Sequence, residues 1–181
     1  MAAILITEKQ MADIQAKIRG NVARMLDFLY RCVGDPNSPN YDMPDIHIHE
    51  IYSIFTHAVE EYGKLIYLKS LTRNSDNRYD VDYSNKFTSH KTKFRLALKD
   101  LPDSVKAAYP NGFATSGFTK HGQTDTAELV WNNRLDVLNV DLVRDGLGKG
   151  NPSDIEFNVD IDALRRSIFE FRSYGLNYSS S

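Results

Sequence analysis

Between Thr7 and Gly34 the order of residues leaves few options. Met11, Ile14, Ile18, Val22, Met25, Leu26 and Leu29 recur at helical spacing, which aligns them on one face of an α-helix. Thr7, followed three residues later by Gln10, can close a capping box at the start, and Gly34-Asp35-Pro36 ends the run. A long helix with a single apolar stripe is stable only when other elements cover the stripe, so the rest of the chain must supply them.

Pro36, Pro39 and Pro44 make a loop, after which Asp45 can cap a second helix carrying Ile48, Ile51, Tyr52, Phe55, Val59, Tyr62 and Ile66. Gly63 inside that helix costs about 1 kcal/mol relative to Ala, so it marks close approach of another backbone or of a bound group, helix packing being the simpler explanation. Thr72 to Ser84 reads as a surface loop. A third helix is expected from Ser84 or Asn85 to Lys99, with Phe87, Phe94, Leu98 and Leu101 inward and Leu101-Pro102 as its stop. Tyr109 to Thr124 is a long, weakly periodic excursion, either a mobile loop or a functional cover. Helical spacing returns from Asp125 through Leu129, Trp131 and Leu135, becomes ambiguous over Val137 to Val143, and gives way to a turn at Asp145 to Pro152. A last helix should start near Asp160 and run through Ile161, Leu164, Ile168 and Phe171 to about Tyr174, before a Ser-rich tail that frays. With no sustained strand alternation, the expectation is an all-α bundle of four to five helices with irregular loops, one domain over residues 1–181 with its core at about 8–174.

Composition narrows the function. Of 181 residues, 41% are hydrophobic and 25% charged, which excludes fibrous and wholly disordered classes. The formal charge of −2 gives no bulk attraction to nucleic acid or anionic lipid, so any polyanion site must be local. A single cysteine, Cys32, excludes an internal disulfide framework and a thiolate metal cluster and points to a reducing compartment. Met1 to Thr7 is too short for a signal peptide, and no apolar run is long enough to cross a bilayer. The expectation is a cytoplasmic protein without a membrane partner.

Chemistry can reside in two places. On the second helix His57, Glu60, Glu61 and Lys64, at steps of three and four, form one connected ridge. The plainest account is a charged surface face with an ordinary ion pair. The surrounding apolar residues nevertheless embed much of this helix, and a ridge carboxylate turned inward would require a cationic or hydrogen-bonding partner. The third helix offers His90, Lys91 and Lys93, with Arg95 nearby: a histidine suited to proton transfer, beside cations suited to phosphate. A metal site from Glu61, His57 and His90, with Glu60, is disfavoured because the paired Glu-x-x-His repeats of di-metal bundles are absent, so neither metal nor cofactor is expected. His47 and His49 are two apart on a helix and point in different directions, so with Glu50 they read as helix-start polar residues. No Walker loop, Rossmann fingerprint, zincin motif or nucleophile elbow is present, and the turn Gly146 to Gly150 is a weak anion nest at best.

Three blocks of sequence resemble the HEPN superfamily, and within it the AbiV-like group associated with abortive infection, a bacterial defence against phage. His57-Ala58-Val59-Glu60-Glu61-Tyr62-Gly63-Lys64 is similar to that group's alanine-rich helix ending in Glu-Glu-Leu-Gly-Lys. Phe87-Thr88-Ser89-His90-Lys91-Thr92-Lys93 resembles its Phe, His, Lys and Lys cluster. Arg134 to Asp141, followed by Gly148 to Pro152, resembles its Arg, aliphatic, Tyr, Val, Asp, then Gly and Pro segment. The order and spacing match over roughly positions 8 to 172.

The resemblance implies an up-and-down helical bundle, homodimerisation, RNA as a partner, an antitoxin or other defence partner, and in many relatives metal-independent RNA cleavage. Those nucleases place an Arg four to six residues before the His. Here Ser84, Asn85 and Lys86 stand there, and Lys86 lacks the planar fork of Arg. If cleavage occurs, the ribose 2′-hydroxyl attacks the adjacent phosphate, with His90 as acid or base, Lys93 and secondarily Lys86 stabilising the phosphorane charge, and Glu61 orienting His90 or a lysine. Lys64, Lys86, Lys91 and Arg134 are the RNA contacts so implied, and Glu60, His57 and Asp141 the structural or orienting residues. The alternative is a non-catalytic HEPN module that binds RNA, a nucleotide or a partner protein.

Overall fold

The computed structural model describes residues 4–36, 48–82, 89–106 and 161–177, together with the backbone of four short strands between 117 and 152. Among these residues are five helices: α1 (Glu8–Val33), α2 (Ile48–Lys69), α3 (His90–Asp100), α4 (Asp103–Lys106) and α5 (Ile161–Asn177). They form a helical bundle of up-and-down type. The expected N-caps Asp45 and Asp160, the residues His47 and Phe87, the side chain of His49 and the helical segment from Asp125 to Leu135 lie outside the described residues.

α1 begins as its sequence predicts. The Thr7 side chain accepts from the Gln10 backbone N–H, and the Thr7 N–H donates to Gln10 Oε1 at 2.9 Å, so two unpaired donors of the first turn are satisfied reciprocally. At the other end Gly34 takes a positive φ of 70°, which its missing Cβ permits, and its N–H reaches back to the Tyr30 carbonyl. The stripe Met11, Ile18, Val22, Leu26, Leu29 and Val33 is buried.

α2 is the central helix. Ile51, Tyr52, Phe55, Ala58, Val59, Tyr62, Leu65, Tyr67 and Leu68 are all buried, so apolar residues occupy most of its circumference and it packs against α1, α3 and α5. α5 closes the bundle with Ala163, Leu164, Ile168 and Phe171, the last meeting Phe55 and Tyr62 edge-on at ring separations of 6.2 and 5.4 Å. Tyr62 also donates to Asp100 at the end of α3, where the Tyr174 hydroxyl arrives 3.2 Å from the same carboxylate oxygen. Burial, and then the Asp100 carboxylate, push the Tyr62 hydroxyl far above the ordinary phenol range, so it stays a donor.

Three details depart from the sequence expectation. The surface loop over Thr72 to Ser84 contains β2 (Tyr79–Val81), which pairs antiparallel with β1 (Ile4–Ile6) in the register Ile4 to Val81, Leu5 to Asp80 and Ile6 to Tyr79. Strands of three residues are too short for alternation to register in sequence. Strands β3 (Gly117–Thr119) and β4 (Gly122–Thr124) pair within the segment expected as a long excursion, and β5 (Leu142–Arg144) pairs with β6 (Gly150–Pro152), which falls at the end of the segment expected as a turn. The third helix starts at His90 rather than at Ser84 or Asn85, because Ser89 is extended and caps it by accepting from the Thr92 N–H. No helix among the described residues is long and apolar enough to cross a membrane.

Candidate functional site

Gly63 determines how α2 and α3 meet. A Cβ at that position would lie 2.0 Å from the Lys93 carbonyl oxygen, so only glycine lets the α3 backbone settle on α2 there. Of the two readings of this residue, close approach of a backbone is the one the packing bears out. The contact brings the first turn of α3 beside Glu60, one turn before Gly63 on the same ridge. His90 and Lys93 are three residues apart and therefore share a face of α3.

Glu60 is the hub. Its side chain is 2% exposed, so its charge needs compensation from the protein. Lys93 Nζ forms an ion pair with Oε1, His90 Nδ1 lies 2.8 Å from the same oxygen, and His57 Nδ1 stands 3.9 Å from Oε2. The last separation is too long for a hydrogen bond but close enough for charge to be felt. Burial alone would raise the Glu60 pKa; the neighbouring His57 and Lys93, with the charges of Lys93 and His90, outweigh it and hold the carboxyl well below the usual range.

That ionisation fixes the histidine tautomer. A carboxylate only accepts, so His90 Nδ1 must donate to it, and the lone pair of the neutral ring is on Nε2. The His90 side chain is 45% exposed. A half-exposed imidazole whose inner nitrogen is held by a buried carboxylate is the arrangement by which a base is oriented and its protonated form stabilised.

The remaining candidates divide. Glu61 is buried and pairs with Lys64, not with His90; the carboxylate in contact with the histidine is Glu60. Lys93, expected to meet the phosphorane, is instead a buried counter-ion with 4% of its side chain exposed. Lys91 is partly exposed and Arg95 exposed on the same helix, and the first turn of α3 carries no acidic residue, so its dipole and cations add. Lys86, Arg134 and Asp141 lie outside the described residues. Sequence reading did not single out Ser89, the cap that sets where His90 falls; the Ser-x-x spacing to the Thr92 N–H was its signal.

No family model, curated protein or solved structure matches this chain. The arrangement must therefore be interpreted from its own chemistry. Among the described residues no group of three His, Cys, Asp or Glu side chains is placed to hold a metal ion. What the site offers is proton transfer at His90, backed by Glu60, beside a positively biased helix start.

Proposed function

We propose that this chain is a phage-defence endoribonuclease of HEPN type that cleaves RNA without a metal, with His90 as its proton-transfer residue and Glu60 as the group that orients it. The observation that carries the reading is the 2.8 Å contact from His90 Nδ1 to a buried, ionised carboxylate, on a ring 45% open to solvent. Proton transfer from a ribose 2′-hydroxyl to Nε2 lets O2′ attack the adjacent phosphorus; the bond to O5′ breaks, leaving a 2′,3′-cyclic phosphate and a 5′-hydroxyl end. Lys91 and the first turn of α3 attract the phosphate, supplying locally the positive field that a chain of net charge −2 lacks overall. The resemblance to AbiV-like proteins supplies the biological setting: a cytoplasmic homodimer, restrained by an antitoxin or other defence partner until infection.

Incubation of the purified protein with mixed single-stranded and structured RNA in chelator, beside His90→Ala, tests this. Cleavage by the wild type that falls by a factor of about 10² or more in the variant is the expected result. No cleavage across RNA type and pH would transfer the assignment to a non-catalytic HEPN module binding RNA, a nucleotide or a partner protein. The feature that favours that second reading is Lys93, whose burial against Glu60 gives the cluster a purely structural use.

A further inference from the structure

Glu60 has two oxygens, and an imidazole from a different helix stands at each. His90, from α3, is at Oε1; His57, from α2, is at Oε2. The two rings are alike in placement: each turns Nδ1 toward the carboxylate, and each keeps close to half of its side chain exposed, 45% for His90 and 46% for His57. His57 Nδ1 is itself buried and makes no hydrogen bond among the described residues. A buried ring nitrogen that stands beside a carboxylate without bonding to it has hydrogen-bonding capacity to spare, and a small rotation of the ring or a bound ligand closes the remaining gap.

Transphosphorylation of RNA needs two proton transfers, one from O2′ and one to O5′, and a single histidine serves both only by moving between them. We infer that His57 is the second proton-transfer residue of this site, the general acid that protonates the departing O5′, while His90 is the base. The assignment rests on the nuclease reading above and deepens it. Its direction follows from the hydrogen bonding: His90 donates Nδ1–H to Glu60 and so presents a lone pair at Nε2, whereas His57, 3.9 Å from the other carboxylate oxygen, makes no such bond to fix its Nε2 as an acceptor. In one turnover the proton leaving O2′ goes to His90 Nε2, the proton on His57 goes to O5′, the O2′–P bond forms and the P–O5′ bond breaks. Exchange with water then restores both rings.

The test compares wild type, His57→Ala, His57→Gln and His90→Ala on two substrates. One is a ribodinucleotide; the other is uridine 3′-(4-nitrophenyl phosphate), whose phenolate leaves without protonation. Both His57 variants should lose about 10²-fold or more on the dinucleotide yet stay within about tenfold of wild type on the aryl ester, and lose the alkaline limb of the pH–rate profile. His90→Ala should fail on both substrates. His57 variants within threefold of wild type on the dinucleotide overturn the inference and leave the nuclease reading intact. Equal losses on both substrates also overturn it, because a merely structural role moves both. If the wild type cleaves neither substrate, the parent reading fails and the inference with it. A separate readout needs no turnover: addition of a 2′-O-methyl RNA oligomer should shift the imidazole NMR signals of both His57 and His90, and a shift at His90 alone would count against His57.

Discussion

Lys93 and Glu60 neutralise each other where neither charge would be tolerated alone, with 4% and 2% of their side chains exposed. Removing one partner strands the other, so Lys93→Met should cost about 3–5 kcal/mol, while Glu60→Leu combined with Lys93→Met should recover most of that loss. Urea denaturation of the two single variants and the double variant closes the cycle; additive losses would show that the pair is not coupled. The same carboxylate gives the protein a defined response to acid. Its folded pKa lies below the ordinary 4.5, so its contribution to stability is complete above that pH and disappears as the pH falls toward the folded value. Stability of the wild type should therefore decline below about pH 4.5 more steeply than that of Glu60→Gln, as read from denaturation midpoints. Equal slopes would mean that the carboxyl is not held ionised. That Glu60, rather than its neighbour Glu61, takes this role could not be read from composition or charge, because adjacent residues on a helix face directions about 100° apart and both are acidic. His57 stands one turn before both, so only Gly63, three residues after Glu60 but two after Glu61, was an available sign.

At the scale of the elements, two glycines inside helices have opposite meanings. Gly20 in α1 has room: a Cβ there meets only Arg24 Nη1 at 3.7 Å, an ordinary contact. Gly20→Ala should raise stability by about 0.5–1 kcal/mol through helix propensity. Gly63→Ala gains the same propensity but drives a methyl into the α3 backbone, so it should lower stability by about 1–3 kcal/mol and separate Lys93 from Glu60. Thermal melts of both variants check the pair, and a stabilised Gly63→Ala would refute the close approach. The sequence identified Gly63 as an anomaly without revealing which helix it admits, since that depends on packing between residues thirty apart. The helices themselves were plain: the α1 stripe, its capping box, the embedding of α2 and the inward Leu164, Ile168 and Phe171 all lie where periodicity placed them. The start of α3 was not, because Ser84, Asn85 and Ser89 are all good caps and periodicity does not choose among them.

For the molecule as a whole, the question is whether the site and the core are one cooperative unit. α5 comes from the far end of the chain, yet Phe171 is fully buried against Phe55 and Tyr62 of α2, the helix that also carries Glu60. Tyr62 and Tyr174 then join α2 and α5 to Asp100 of α3, while Arg172 reaches Asp27 of α1 at 2.7 Å and stacks over Tyr30. Through these contacts the helix bearing His90 and the helices distant from it share side chains, which is the condition for a single transition. Phe171→Ala removes the ring at the centre of this arrangement and should cost about 3–5 kcal/mol, the range for deleting a buried aromatic. Far-UV circular dichroism and the imidazole NMR signal of His90 should then move to lower denaturant together, with coincident midpoints, although no atom of Phe171 belongs to the site. If the helical signal fell first and His90 kept its folded environment, α5 would be a separable cover and the α2–α3 site a unit able to stand without it.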